Sequence, residues 1–142
     1  MGDFLLQNLK FYGILLLVFI FGGVYYGCLE TLWRGYTHWT MLVTGGACVL
    51  CLFLIGVFGE GKPLWQLCVS GCLFITAIEL CSGWIVNLQL GLAVWDYSEK
   101  PLHYLGQISL TSSLFWLLLS FPGILLCRIV ARLAGIERQS KG

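Results

Sequence analysis

Four stretches of the chain, residues 11–29, 40–59, 64–86 and 108–127, carry a single charged side chain between them, Glu79. A bilayer's hydrocarbon core is crossed by about 20 helical residues, and each stretch is about that long. In that solvent every backbone polar group must be bonded internally, so a spanning segment outside a closed barrel is an α-helix. The chain therefore reads as an all-α membrane protein, a four-helix transmembrane bundle forming one multi-pass domain over its 142 residues. Composition agrees: 11% of residues are charged and mean hydropathy is +0.87, where a soluble domain has roughly 25% charged residues.

The basic residues orient the bundle, because Lys and Arg gather on the cytoplasmic side. Placing both termini inside puts Lys10, Lys62, Arg128, Arg132, Arg138 and Lys141 in the cytoplasm and leaves only Arg34 and Lys100 outside. No small-x-small cleavage site follows Leu29, so the first apolar stretch is expected to be a retained helix and not a signal peptide. In this topology residues 30–39 form a short outer loop and 60–63 a tight inner turn. Residues 87–107 form a long, partly ordered outer segment between helices three and four. Trp33, Tyr36, Trp39, Trp84, Trp95, Tyr97 and Tyr104 then all fall at the outer boundary, the level that amphipathic rings prefer.

Several function classes are disfavoured. A formal charge of +1 without clustered Lys and Arg gives no nucleic-acid footprint. Gly56-Val57-Phe58-Gly59-Glu60-Gly61-Lys62 fits the first seven positions of a P-loop. Pro63 follows where a hydroxyl should hold magnesium, and the preceding residues form a membrane helix instead of a strand. Glycines at a helix hairpin with Pro opening the next helix explain the run. The seven cysteines are odd in number, lie mostly in apolar stretches and have no His beside them, so they read as packing residues, with no metal or cofactor expected. Ser112 and Ser113 lack a base at their depth and the two histidines lie on separate loops, so the residues do not point to an enzyme.

Polar groups inside the spans carry more information. Glu79 lies roughly 22 Å along the third helix at 1.5 Å per residue, within the outer third of the hydrocarbon, where a carboxylate costs a few kcal/mol unless paired, hydrated or protonated. Its neighbours at helical spacing are Cys68, Cys72, Thr76 and Gly83, a small and polar stripe facing the bundle interior, while Leu73, Phe74, Leu80 and Trp84 face lipid. Gly23, Gly27, Glu30 and Arg34 share a face of the first helix, and Thr44, Cys48 and Cys51 one of the second. If these faces meet, Glu30, Arg34, His38, Glu79, Trp95, Asp96 and His103 form an outward-facing polar pocket for a small solute or cation. The competing expectation pairs Glu30 with Arg34 one turn on and makes Glu79 a structural lock. Asp96 and Ser98 are expected to accept from following backbone amides. With Tyr97, Pro101 and Gly106 they make residues 95–106 a structural cap.

The run Glu30-Thr31-Leu32-Trp33-Arg34-Gly35, then Thr37 to Met41 and Gly45-Gly46, resembles the first half of the bacterial ABC-transporter type IV, or CmpB-like, permease family. Ile75 to Glu79, Gly83, Asn87, Leu90-Gly91-Leu92, Trp95-Asp96-Tyr97-Ser98, Pro101 and Gly106-Gln107-Ile108 follow its second half. The resemblance covers about residues 11–120. His103 and Ser109 stand where the family more often has Asn and Cys, and both keep polarity. The resemblance implies a small multi-pass protein of the bacterial cytoplasmic membrane. Its expected partners are the lipid bilayer, a second copy or other membrane subunits, and a separate ATP-binding subunit for any ATP-driven role, since this chain carries no nucleotide-binding domain. Two functions follow as expectations: a permease-like component with the outer pocket as its binding site, or a structural or regulatory membrane protein whose same residues lock the outer loop and recruit a partner.

Overall fold

The computed structural model describes residues 2–136. Its elements are α1 (Gly2–Arg34), α2 (Trp39–Phe58), α3 (Leu64–Gly83) and α4 (Leu110–Leu133), with a π-helical turn, Trp84–Gln89, prolonging α3. All four helices are long and apolar enough to cross a bilayer. Helices α1 and α4 run past the expected spans at one or both ends, because an apolar stretch reports the hydrocarbon thickness whereas a helix continues through the headgroup level. Arg138 and Lys141, part of the orientation argument, lie outside the described residues.

Helix α2 is the hub. It packs on α1, α3 and α4, whereas α1 packs extensively on α2 alone. The α2–α3–α4 contact holds the main apolar core, with Phe53, Ile75 and Ile124 fully enclosed and Leu52, Leu67, Cys48, Cys68 and Cys127 around them. Residues Leu73, Phe74 and Trp84 are exposed, as expected of a lipid face.

The α1–α2 contact depends on glycine. A Cβ at Gly23 would stand 2.3 Å from the Leu42 carbonyl oxygen, and one at Gly46 2.6 Å from that of Phe19. No solvent-driven apolar force pulls helices together in lipid, so close backbone approach supplies the attraction through dispersion. Helix α2 therefore turns Leu42 and Gly46 towards α1, and Thr44 and Cys48 towards α3 and α4.

Helix ends are capped locally. His38 Nδ1 accepts from the Thr40 N–H at 3.4 Å and opens α2, and Ser109 and Ser112 form a reciprocal capping box at the start of α4. Helix α4 runs through Pro122 without a break.

Replacing Gly23 by Ala should lower the thermal unfolding midpoint in detergent, since overpacking costs about 1–3 kcal/mol. Gly13 on the same helix meets nothing within 4 Å, so Gly13→Ala should leave the midpoint unchanged or slightly raised. Equal behaviour of the two variants would show that the close α1–α2 approach is not stabilising.

Candidate functional site

The end of the bundle that carries the α1–α2 loop and the α3–α4 connection is covered by residues 84–109. The π-helical turn inserts an extra residue into the helical register, with Leu90 N–H donating to Ile85 five residues back, and such turns occur frequently at functional sites. Asn87, in this turn, uses its whole amide on the segment above. Its Nδ2 donates to the Trp95 carbonyl at 3.0 Å and to Gln107 Oε1 at 2.7 Å. Its Oδ1 accepts from Val94 N–H at 2.7 Å.

Around that amide the segment folds onto α3. Trp95 is 7% exposed and its indole donates to the Gln107 carbonyl at 3.1 Å. Gly83 gives it room: a Cβ there would lie 2.5 Å from Gln107 Oε1 and 3.0 Å from the Trp95 ring. Met41, Val86, Val94 and Trp95 form a second, small apolar core beneath the segment. Trp95 and Tyr97 therefore turn inward, while Trp33, Tyr36, Trp39, Trp84 and Tyr104 stay exposed at this boundary. Burial in the small core, with the indole N–H bonded, outweighs the headgroup preference for these two rings.

Beneath the segment lies Glu79, 6% exposed. Its Oε1 accepts from the Tyr97 hydroxyl at 2.9 Å and its Oε2 from the Trp116 indole at 3.0 Å. One carboxylate thus ties α3 to the segment and to α4. Burial, followed by the neighbouring Glu79 carboxylate, raises the Tyr97 hydroxyl well above the usual phenol range, so it stays a donor. The remaining space beside Glu79, bounded by Tyr26, Thr44, Cys48, Trp95 and Trp116, is about 10 Å³, at most one water molecule's worth.

The other acidic candidates are separate from this site. Glu30 is buried and accepts from Arg34 at 2.9 Å and from the Thr37 hydroxyl. Arg34 donates onward to the Val94 carbonyl at 2.8 Å and to the Tyr36 hydroxyl at 3.0 Å. This pair is the i,i+4 pair read from the sequence, but it also ties the α1–α2 loop to the long segment. Asp96 is exposed and accepts the Ser98 hydroxyl and, at 2.9 Å, the Ser98 N–H. Ser98 is a donor here, not the acceptor expected from the sequence. Those two bonds hold the Asp96 carboxyl below its ordinary range. His103 is exposed, with Nδ1 accepting from Gly106 N–H at 3.3 Å. His38 serves as the α2 cap, and Pro101 sits in an exposed turn.

Gly106 is buried at φ +69°, and its carbonyl accepts from Tyr97 N–H at 2.7 Å. Three non-glycine residues, Ala93, Leu102 and Leu105, are also held in the left-handed region. Such conformations cost of order 1–3 kcal/mol each and persist only where surrounding bonds over-determine them. Sequence reasoning found Glu79, Tyr97 and Glu30–Arg34 but gave no role to Trp116, Thr37 or the Asn87–Gln107 pair. A Trp one to two turns into the fourth helix, on the side of Ser112 and Ser113, was the available signal for Trp116.

Asn87→Ala would leave the Val94 N–H, the Trp95 carbonyl and Gln107 Oε1 without the Asn87 partner each has now, at about 1–3 kcal/mol for each that stays buried. The unfolding midpoint should fall, and amides of Val94, Tyr97 and Gln107 should exchange faster while α2 is unchanged. For Asp96 the folded pKa is depressed, so its contribution is present above the unfolded carboxylate range and lost as pH falls through the folded value. NMR of the Ser98 amide should register that loss on acidification, and Asp96→Asn should abolish the pH dependence.

Residues 4–137 match the family model described as Putative ABC-transporter type IV. No curated protein and no solved structure matches the chain. With nearly the whole sequence covered and four membrane-length helices in place, this membrane protein belongs to the ABC-transporter type IV family.

Proposed function

We propose that the chain is a structural membrane component of a transporter-type assembly, with residues 84–109 clamping the outer end of the bundle shut. The observation that carries this reading is the bonding of Glu79: both oxygens accept from protein donors, and about 10 Å³ of space remains beside it. A solute or cation site needs unsatisfied polar groups facing a cavity, and small-molecule sites usually enclose some 300–1,000 Å³. Any path through the membrane is then formed between this chain and another copy of itself or separate subunits, and an ATP-driven step requires a separate ATP-binding chain.

The orientation belongs to the same proposal. Lys10, Lys62, Arg128 and Arg132 lie at the end of the bundle away from Arg34 and Lys100, which supports both termini being in the cytoplasm of a bacterium and the cap facing outward.

The competing reading, a solute or cation pocket around Glu79 and Asp96, draws on the placement of an ionisable residue within a span. Amide chemistry separates the two. A Gln at position 79 can still accept from the Trp116 indole and donate to the Tyr97 hydroxyl, whereas Ala leaves both partners unpaired. On the structural reading Glu79→Ala lowers the unfolding midpoint strongly and Glu79→Gln mildly. A double-mutant cycle between Glu79→Ala and Trp116→Phe should give a coupling of roughly 0.5–3 kcal/mol. A small solute or cation that stabilises the wild-type chain, and loses that effect in Glu79→Gln at unchanged basal stability, would establish the pocket reading instead.

A further inference from the structure

The end of the bundle opposite the cap is open. Between the α2–α3 turn and the last turns of α4 lies a cavity of about 180 Å³. Gly56, Glu60, Lys62, Arg128 and Arg132 line it, with Val57 and Ala131 among its apolar walls. Three of these side chains are cations and one is an acid. Among the described residues the single ion pair is Glu30–Arg34 at the other end, so the cavity's charges are not neutralised by one another at contact distance.

Arg128 is held in place. Its Nε donates to the Gly56 carbonyl at 3.2 Å and its Nη2 to the Gly59 carbonyl at 3.4 Å, leaving three of the five N–H donors of a guanidinium uncommitted to these carbonyls. Lys62 and Arg132 are exposed and border the same space from the turn and from α4. The cavity also sits at a defined depth. Trp65, in the first turn of α3 beside the α2–α3 turn, is exposed, as is usual for an indole at the headgroup level.

Those features select a ligand class. A volume of about 180 Å³ is below the usual range for drug-sized ligands, so it suits one compact group and not a nucleotide. Excess positive charge attracts an anion, and a guanidinium matches the oxygens of a phosphate. Basic pockets between helices at this depth can bind lipid headgroups by the same chemistry. The P-loop-like run from Gly56 to Lys62 borders the cavity as a helix end and a turn, without the strand that a nucleotide site requires.

We infer that this cavity is an interfacial phosphate site, taking either the phosphodiester of an anionic lipid headgroup or inorganic phosphate.

The test uses the full chain in a neutral detergent and follows the unfolding midpoint. One arm titrates phosphatidylglycerol against phosphatidylcholine, and the other inorganic phosphate against chloride at equal ionic strength. Stabilisation in the first arm alone identifies the headgroup, and in the second the free ion. In whichever arm responds, Arg132→Gln should raise the half-saturating concentration about fivefold, the scale of one interfacial charge. Glu60→Gln should lower it severalfold, and Lys100→Gln at the capped end should leave it unchanged. Because the Glu60 and Arg132 changes act in opposite directions, general destabilisation cannot mimic both. No stabilisation in either arm, or equal weakening by Arg132→Gln and Lys100→Gln, would overturn the assignment.

Discussion

A carboxylate in hydrocarbon has to be answered by the protein around it, and the half of this molecule that carries the α3–α4 connection is organised by that requirement. Glu79 sits on α3 within the apolar depth of the bundle, and its two oxygens are met by a hydroxyl from the cap and an indole from α4. Removing an acceptor from such a pair strands donors in a largely dry site, which is why buried polar groups are costly to leave unmatched. The same residue therefore specifies where α4 and residues 95–107 sit relative to α3. Asn87 repeats the logic one level higher, satisfying backbone and side-chain groups that the irregular segment leaves open.

Irregular backbone at membrane depth is tolerated only where protein encloses it. Within residues 84–109 the enclosed part is Val86, Val94, Trp95, Gly106, Gln107 and Ser109, held by a π-helical turn, a small apolar core under Trp95 and the Arg34 bond to the Val94 carbonyl, while most of the remainder is exposed at the end of the bundle. The left-handed conformations at Ala93, Leu102 and Leu105 are affordable in this setting because so many bonds hold the chain around them.

The two ends of the bundle are chemically unlike. At the capped end the acids are bonded to protein donors and little space remains, whereas at the other end cations border an open cavity. Helix α2 joins them, packing on three neighbours, while α1 contacts the rest mainly through α2 and exposes Phe4, Leu16, Phe21 and Leu32 along its length. A chain with this arrangement has a well-packed three-helix centre, with α1 laid along α2.

The number of helices, their apolar limits, the lipid face of α3 and the inward stripe ending at Glu79 and Gly83 were legible from sequence. Each follows from local chemistry repeated at a fixed period: about 20 apolar residues cross the bilayer, and positions three and four apart share a face. The i,i+4 pairing of Glu30 with Arg34 was legible for the same reason. Tertiary structure alone decided that Glu79 meets Trp116 across 37 residues of chain. It also decided that Trp95 and Tyr97 leave the boundary for the interior. Those outcomes depend on which helices touch and how residues 87–107 fold back on them. A local period carries no information about either.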